Sequence, residues 1–335
     1  MQYNNILPTG DILISNNLLW LYSMNGQLLE YGVIILLGAI LVDILFGEPR
    51  SSFHPVSLIR RTANLMDHDF RNIKDRKLGG LLLLVTILLI FLVPIILVLH
   101  FSMALKVLYV IIGIILLKDA FSVSKLSEDI QQILTPMEAG NLEEARVFAS
   151  RFSRTDLTGM TEGQICSIII ERISSQLIND VISPFFYFAI LGVPAAFFSR
   201  ITATMDSLFG QRNKKNFEFG RWIALVHSAV NYIPSRISTA LVYVSSEFLN
   251  YRVTSVPLKR LRTIPESGNL GWPIGAFSSS LNLKLERPGV HIINETGFEP
   301  SAKDVRRAAR IYYISFYTMI IFITIPLMII VLYLL

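Results

Sequence analysis

The residues able to do chemistry fall into five clusters, each placed where apolar side chains would otherwise be expected. Asp43 lies near the far end of an apolar run and is followed by Gly47, Glu48, Pro49, His54 and Pro55. Gly47 frees the backbone and the two prolines hold the next residues extended. That presents Glu48 and His54 at the mouth of a membrane helix, although a capped helix end with an interfacial histidine would read the same. A polar loop, Ser153 to Leu157, carries Arg154, whose guanidinium fork suits a phosphate or carboxylate; a solvated turn has the same composition. Glu171, Ser175 and Asn179 stand at i, i+4 and i+8, within about 80° on one helix face. An oxygen-bearing face of this kind suits magnesium or phosphate, and equally a solvated surface. Asp206, Ser207, Gly210 and Arg212 run on to His227, Asn231, Pro234 and Arg236. They offer a carboxylate and phosphate donors around a kinked helix; the plain alternative is a basic interfacial loop. Finally, Ser267 to Pro273 includes Asn269 and Gly271, where small residues let backbone N–H groups approach a ligand. An ordinary Gly/Asn/Pro turn has that look too.

Several chemistries are excluded. No Gly-x4-Gly-Lys-Ser/Thr loop, dinucleotide fingerprint, His-Glu-x-x-His helix or Gly-x-Ser-x-Gly elbow occurs. A single cysteine, Cys166, forbids an intramolecular disulfide and argues against a thiolate zinc site.

The elements that must position these residues belong to a membrane protein. Of 335 residues, 52% are hydrophobic and only 16% charged, against ~25% charged in an ordinary soluble domain. The net charge is 30 − 25 = +5. In such a chain it first implies cytoplasmic loops rich in Lys and Arg. Nucleic-acid binding is not expected, because no basic run is interleaved with aromatics. Apolar spans are expected at about 31–47, 79–99, 103–117 and 311–335, with a hairpin turn near His100-Phe101-Ser102. Pro326 would kink the last of them. No leader pattern opens the chain, so a cleaved signal peptide is not expected, and Ile12 to Leu21 reads as interfacial. Two stretches, 182–198 and 222–245, contain prolines and polar groups and are expected to span, to re-enter or to line a site as broken helices. The positive-inside rule favours the re-entrant form, since Asp206–Arg221 and Arg252–Arg310 are both basic. The expected fold is therefore all-α: one polytopic integral membrane domain with four to six membrane helices and polar helical insertions at 118–181 and 250–310, the main polar loops cytoplasmic.

Taken in order, the clusters resemble the cobalamin-biosynthesis membrane family of the CbiB/CobD type, adenosylcobinamide-phosphate synthase. The matching strings are Asp43 to Pro49 with His54-Pro55-Val56, Arg154 to Leu157, Glu171 through Pro184 to Tyr187, and Asp206-Ser207 to Gly210. They continue through Asn231 to Arg236, Ser267 to Pro273, Glu286-Arg287-Pro288-Gly289 and the Asp304 to Ala308 helix. The resemblance implies an ATP- and Mg2+-dependent amide ligase of the cell membrane. It would join aminopropanol or its phosphate to a carboxylate of adenosylcobyric acid, activated as an acyl phosphate. Further implied partners are membrane lipid and other membrane-bound enzymes of cobalamin assembly. It also implies roles: Glu171, Asp206 and His54 in catalysis; Glu171, Asp206 and Asp43 on the metal; Glu48, Arg154, Asn179, Arg212, Asn231, Arg236, Asn269 and Gly271 on substrate and phosphate.

The chain departs from the family pattern at telling places. Ser175-Gln176 replaces a Glu-Asn pair, Asn179 an Asp, His227-Ser228 a pair of Asp residues, and Arg60 a Gly. Asp180 points about 180° away from Glu171 on a regular helix and cannot stand in for the missing acid. Three readings follow: a divergent synthase, a non-catalytic relative that binds corrinoid as a membrane scaffold, and a small-molecule transporter using the polar groups of 222–245. Matched broken helices in inverted repeats, the usual mark of a transporter, are not evident.

Overall fold

Long apolar runs without charge form helices whose outer faces remain apolar, and these frame the molecule. The computed structural model describes residues 31–47, 55–153, 155–210, 215–251 and 269–334. Helix α1 is Gly32–Phe46, α2 Pro55–Arg71, α3 Arg76–Ser102 and α4 Lys106–Ala120. Three helical stretches, Arg76–Ser102, Lys106–Glu138 and Ala302–Val331, are long and apolar enough to cross a membrane by length and composition; Gly32–Phe46 is apolar but shorter. The turn expected between two of these runs falls at residues 103–105. Leu37, Leu41, Leu89, Ile111 and Ile115 are exposed, as lipid-facing side chains would be. Glycine sets the spacing of α1 against α4: a Cβ on Gly38 would stand 2.5 Å from Ile114 Cδ1, and one on Gly113 2.6 Å from Ile35 Cδ1. Small residues at such crossings bring membrane helices close.

A polar helical pair follows, α5 (Lys125–Glu138) and α6 (Leu142–Ser153). Helix α7 (Glu162–Gln176) starts at a capping box in which Thr161 and Gln164 satisfy each other's backbone N–H. It continues without a break through a π-helical turn, Leu177–Ile182, into α8 (Ser183–Leu191). Gly192, at φ 74°, then reverses the chain, and α9 (Val193–Phe209) folds back on α8. The stretch 182–198 is thus two short helices meeting at a glycine. The stretch 222–245 is broken as well, into α10 (Arg221–Val230) and α11 (Tyr232–Phe248), with Asn231 between them.

Helix α12 (Gly271–Leu281) precedes a two-stranded antiparallel hairpin, β1 (Leu285–Arg287) and β2 (His291–Ile293), a small exception to the all-α expectation. Helix α13 (Ala302–Met319) passes through a second π turn, Ile320–Thr324, into α14 (Ile325–Leu334). Pro326 sits two residues beyond that turn, as Pro184 sits two beyond the first. The main core lies among α7, α8, α12 and α13. A second apolar cluster, including Ile59, Leu83, Ile201, Met205, Phe209 and Phe219, ties α2, α3, α9 and α10 together.

Candidate active site

Two prolines create the site's frame. A proline cannot donate to the carbonyl four residues earlier, so that carbonyl needs another partner. Pro184 releases the carbonyl of Asp180, which accepts the Ser122 N–H at 3.1 Å. The ladder shifts to i→i+5 there, with Ser183 N–H donating to Ile178 O. Pro234 likewise releases the carbonyl of Val230, which accepts the Tyr187 hydroxyl at 2.8 Å. Proline-freed backbone thus docks the α4–α5 junction onto the first π turn, and α8 onto the α10–α11 break.

Between these ties lies a hydrogen-bond network, buried at Ser183, His227 and Asn231 and half-buried at Ser175, Asn179 and Asp206. Asn231 Nδ2 is 2.8 Å from Asn179 Oδ1 and 3.0 Å from His227 Nε2. Asn231 Oδ1 accepts from Ser183 Oγ at 2.5 Å, and Asn179 Nδ2 donates to Ser175 Oγ at 3.3 Å. Asp206 Oδ2 lies 3.8 Å from His227 Nε2, and Arg60 Nη2 donates to the neighbouring Ser207 Oγ at 3.3 Å. Gly210 makes room for this carboxylate: a Cβ there would come within 2.0 Å of Asp206 Oδ1. Burial pushes the Asp206 carboxyl above its ordinary range, against the opposing pull of His227. Burial also pushes the His227 imidazole down, with Asp206 opposing. Both groups lie outside the three long apolar helices.

A second arm adjoins it. Arg236 donates through Nη1 to Asn269 Oδ1 at 2.9 Å, while Asn269 Nδ2 donates to the carbonyl and hydroxyl of Ser228 at 2.6 and 3.0 Å. The guanidinium lies 3.7 Å from the Tyr232 ring centroid and 4.9 Å from that of Trp272. Gly271 is buried at the start of α12 beside them. Of the expected site residues, the structure therefore joins Asn179 and Asn231 in one network, sets Asp206 at ion-pair distance from its His227, and pairs Arg236 with Asn269.

The other two carboxylates are engaged elsewhere. Glu171 Oε1 is 2.7 Å from His291 Nε2, and its Oε2 is 3.6 Å from Arg287 Nε. The hairpin register sets Arg287 directly opposite His291. Asp43 is buried against Lys118 Nζ at 2.8 Å and accepts the Ser124 N–H at 3.0 Å. Asp180 pairs with Arg200, so it is committed to α9 and does not join the Asn179 side. Among the described residues, no group of three or more His, Cys, Asp or Glu side chains is placed to hold a metal ion. Glu48, His54, Arg154 and Arg212 lie outside the described residues, as does Ile12 to Leu21. Lys118 and His291 were not anticipated as partners. Their one signal in the sequence is a charged or titratable residue at the edge of an apolar or turn segment.

The fold is that of a mainly α-helical protein whose three long apolar helices suit a membrane, with polar side chains gathered where shorter helices break. The chain belongs to the CobD/CbiB family of cobalamin biosynthesis: the family model described as CobD/Cbib protein matches residues 36–313. A probable cobalamin biosynthesis protein CobD of Thermoplasma volcanium is 37% identical over 298 residues, 89% of this chain and 98% of that one. The corresponding protein of Thermoplasma acidophilum is 36% identical over 297 residues, with the same coverage. The cobalamin biosynthesis protein CobD of Dehalococcoides mccartyi is 25% identical over 268 residues, 78% of this chain and 87% of that one. No solved structure matches.

Five residues singled out in the sequence make contacts in or beside this region. Ser175, Asn179 and His227 belong to one network, Ser228 receives Asn269, and Arg60 reaches the residue after Asp206.

Proposed function

We propose that the protein is the ATP-dependent amide ligase of this family. It would join aminopropanol or its phosphate to a carboxylate of adenosylcobyric acid, giving adenosylcobinamide or its phosphate. The observation that carries the reading is the convergence of Asn179, Asp206, His227 and Asn231 from three separate elements within the family-matched region.

The donor set fits ATP-bound magnesium in a restricted way. Magnesium takes about one or two protein carboxylates and completes its shell with phosphate and water. Asp206 is the carboxylate of the network; Asp43 and Glu171 are held by basic partners. ATP and magnesium, when bound, would make the substrate carboxylate reactive and screen the phosphate charge. The chain's own residues supply the rest. Arg236, steadied by Asn269 and two aromatic faces, offers a cation to phosphate or carboxylate oxygens. Asn179 and Asn231 orient neutral polar groups. His227 and Asn231 are buried, and a dry wall on that side would limit the water that competes with the amine for the activated carboxyl.

A second reading, a corrinoid-binding membrane scaffold, draws on one observation: apart from Asp206 and its weakly basic neighbour His227, the network is built of neutral amides and hydroxyls. Purified protein separates the two. The ligase consumes ATP only when adenosylcobyric acid and aminopropanol phosphate are both present. Corrinoid binding without ATP turnover supports the scaffold.

A further inference from the structure

We infer that Arg172, near the end of α7, binds a phosphate group of a ligand, with Gln176 one turn on beside it. The choice of ligands in the test rests on the proposed reaction; the anion site does not.

A cation drawn partly out of water needs a counter-ion or hydrogen-bond acceptors, because losing hydration is costly for charge. An arginine cannot escape that cost by shedding its proton. Among the described residues, the other arginines that are not exposed meet the need: Arg60, Arg71, Arg146, Arg200, Arg236 and Arg287 each make a hydrogen bond or ion pair. Arg172 is half-buried and makes neither among the described residues. Its own helix supplies no counter-ion, since the positions one turn away, Ile168, Ile169, Ser175 and Gln176, are all neutral. Glu171 is adjacent in sequence, but its carboxylate is turned to His291 and Arg287.

There is room for a ligand at the end of this side chain. Of the guanidinium nitrogens only Nε is buried without a partner; the two Nη atoms keep solvent contact. From Ile165 to Ile178 the helix is buried except at Arg172, Ser175 and Gln176, so these three mark the strip where it opens. Ser175 Oγ accepts from Asn179, which bonds Asn231, and the strip therefore abuts the polar network. Gln176 Oε1 is also buried without a partner. Turning that amide over would strand its nitrogen instead, so the position calls for a polar partner in either orientation. A planar fork with free Nη donors matches phosphate oxygens bidentately, and a phosphate keeps a further oxygen for a neighbouring amide. Two ligands of the proposed reaction carry such a group: the nucleotide and the phosphorylated amine.

The test uses the full chain in lipid nanodiscs and needs no turnover. Calorimetry measures the binding of MgATP, aminopropanol phosphate and unphosphorylated aminopropanol, each alone, and thermal unfolding is followed without ligand. Arg172→Gln should weaken one of the two phosphate ligands about tenfold or more, the loss expected for a missing charge-assisted hydrogen bond, and leave aminopropanol unaffected. Arg172→Lys, which keeps the charge but not the fork, should lose less. Loss confined to MgATP assigns the site to the nucleotide; loss confined to aminopropanol phosphate assigns it to the amine substrate. Arg76→Gln removes the same charge from an exposed position and should change neither affinity. The unfolding midpoint of ligand-free Arg172→Gln should equal or exceed that of wild type, because a cation without a counter-ion has been removed, whereas loss of a structural arginine would lower it. Wild-type protein that binds neither phosphate ligand, unchanged affinities in Arg172→Gln, an equal loss in Arg76→Gln, or a lowered ligand-free midpoint overturns the inference. If wild-type protein binds a phosphate ligand through Arg172 yet makes no amide, the proposed reaction fails and the anion site stands.

Discussion

Tyr187 donates its hydroxyl to the carbonyl of Val230 at 2.8 Å, and that carbonyl is free because Pro234 has no N–H to offer it. One hydrogen bond therefore joins α8 to the break where Asn231 sits. Tyr187→Phe leaves the carbonyl unsatisfied and should cost about 1–3 kcal/mol. Pro234→Ala restores a donor four residues on. The double variant should be less damaged than the sum of the singles, as coupled neighbours are. Thermal unfolding of the three variants checks this, and strict additivity would break the link drawn between the two residues.

Asp43 and Lys118 form a buried ion pair between α1 and α4. Removing one partner strands the other charge and should destabilise by roughly 3–5 kcal/mol. Asp43→Leu should therefore fail badly in thermal unfolding. Asp43→Leu with Lys118→Met should recover most of the loss, because a well-packed apolar pair replaces a buried ionic one at little cost. If the stable double variant also keeps ligase activity, Asp43 serves the fold and not the metal.

Glu171 and His291 meet at 2.7 Å across 120 residues of sequence. If the pair fastens the β1–β2 hairpin to α7, Glu171→Gln and His291→Gln should lower the unfolding midpoint by similar amounts and be strongly non-additive. An unchanged midpoint with a collapse of kcat would instead assign Glu171 to chemistry.

Burial holds the His227 pKa below its ordinary value of 6.5. The sign follows from proton counting: below 6.5 the unfolded chain binds a proton there that the folded chain does not. His227 then contributes stability in full above 6.5, and loses it as pH falls toward the folded value. Asp206, pushed up by burial, acts oppositely, weakening the fold as pH rises from 3.8 through its raised value. His227→Asn should flatten the fall in unfolding midpoint between neutral pH and about pH 5.5, relative to wild type. An identical slope in the two proteins would contradict the assignment of that window to His227.

The membrane frame was largely legible in the sequence, because charge-free runs such as 79–99 need only length and hydropathy to be recognised. Asn231 likewise marked where 222–245 breaks, and Pro184 and Pro234 marked where the helical hydrogen-bond ladder loses a donor. What could not be read was which freed carbonyl meets which donor. Asp180 finds Ser122, and Val230 finds Tyr187, only once the chain has folded back at Gly192. The expected face of Glu171, Ser175 and Asn179 holds only in part: Ser175 and Asn179 are bonded, but the π turn from Leu177 changes the helical period, and Glu171 turns to the hairpin. Lys118 and His291 were missed because their partners lie far away in sequence.

Amide formation at the Asp206, His227 and Asn231 site is what the proposed function requires of the chain. Its most direct test is mass-spectrometric detection of product from purified protein, ATP, magnesium, adenosylcobyric acid and aminopropanol phosphate. Wild-type reactions should yield the corrinoid amide, and Asp206→Asn should lose about 10²-fold or more in kcat, the scale of a lost charge-stabilising group. Corrinoid bound but unchanged in the wild-type reaction, or an Asp206→Asn variant turning over at the wild-type rate, would contradict it.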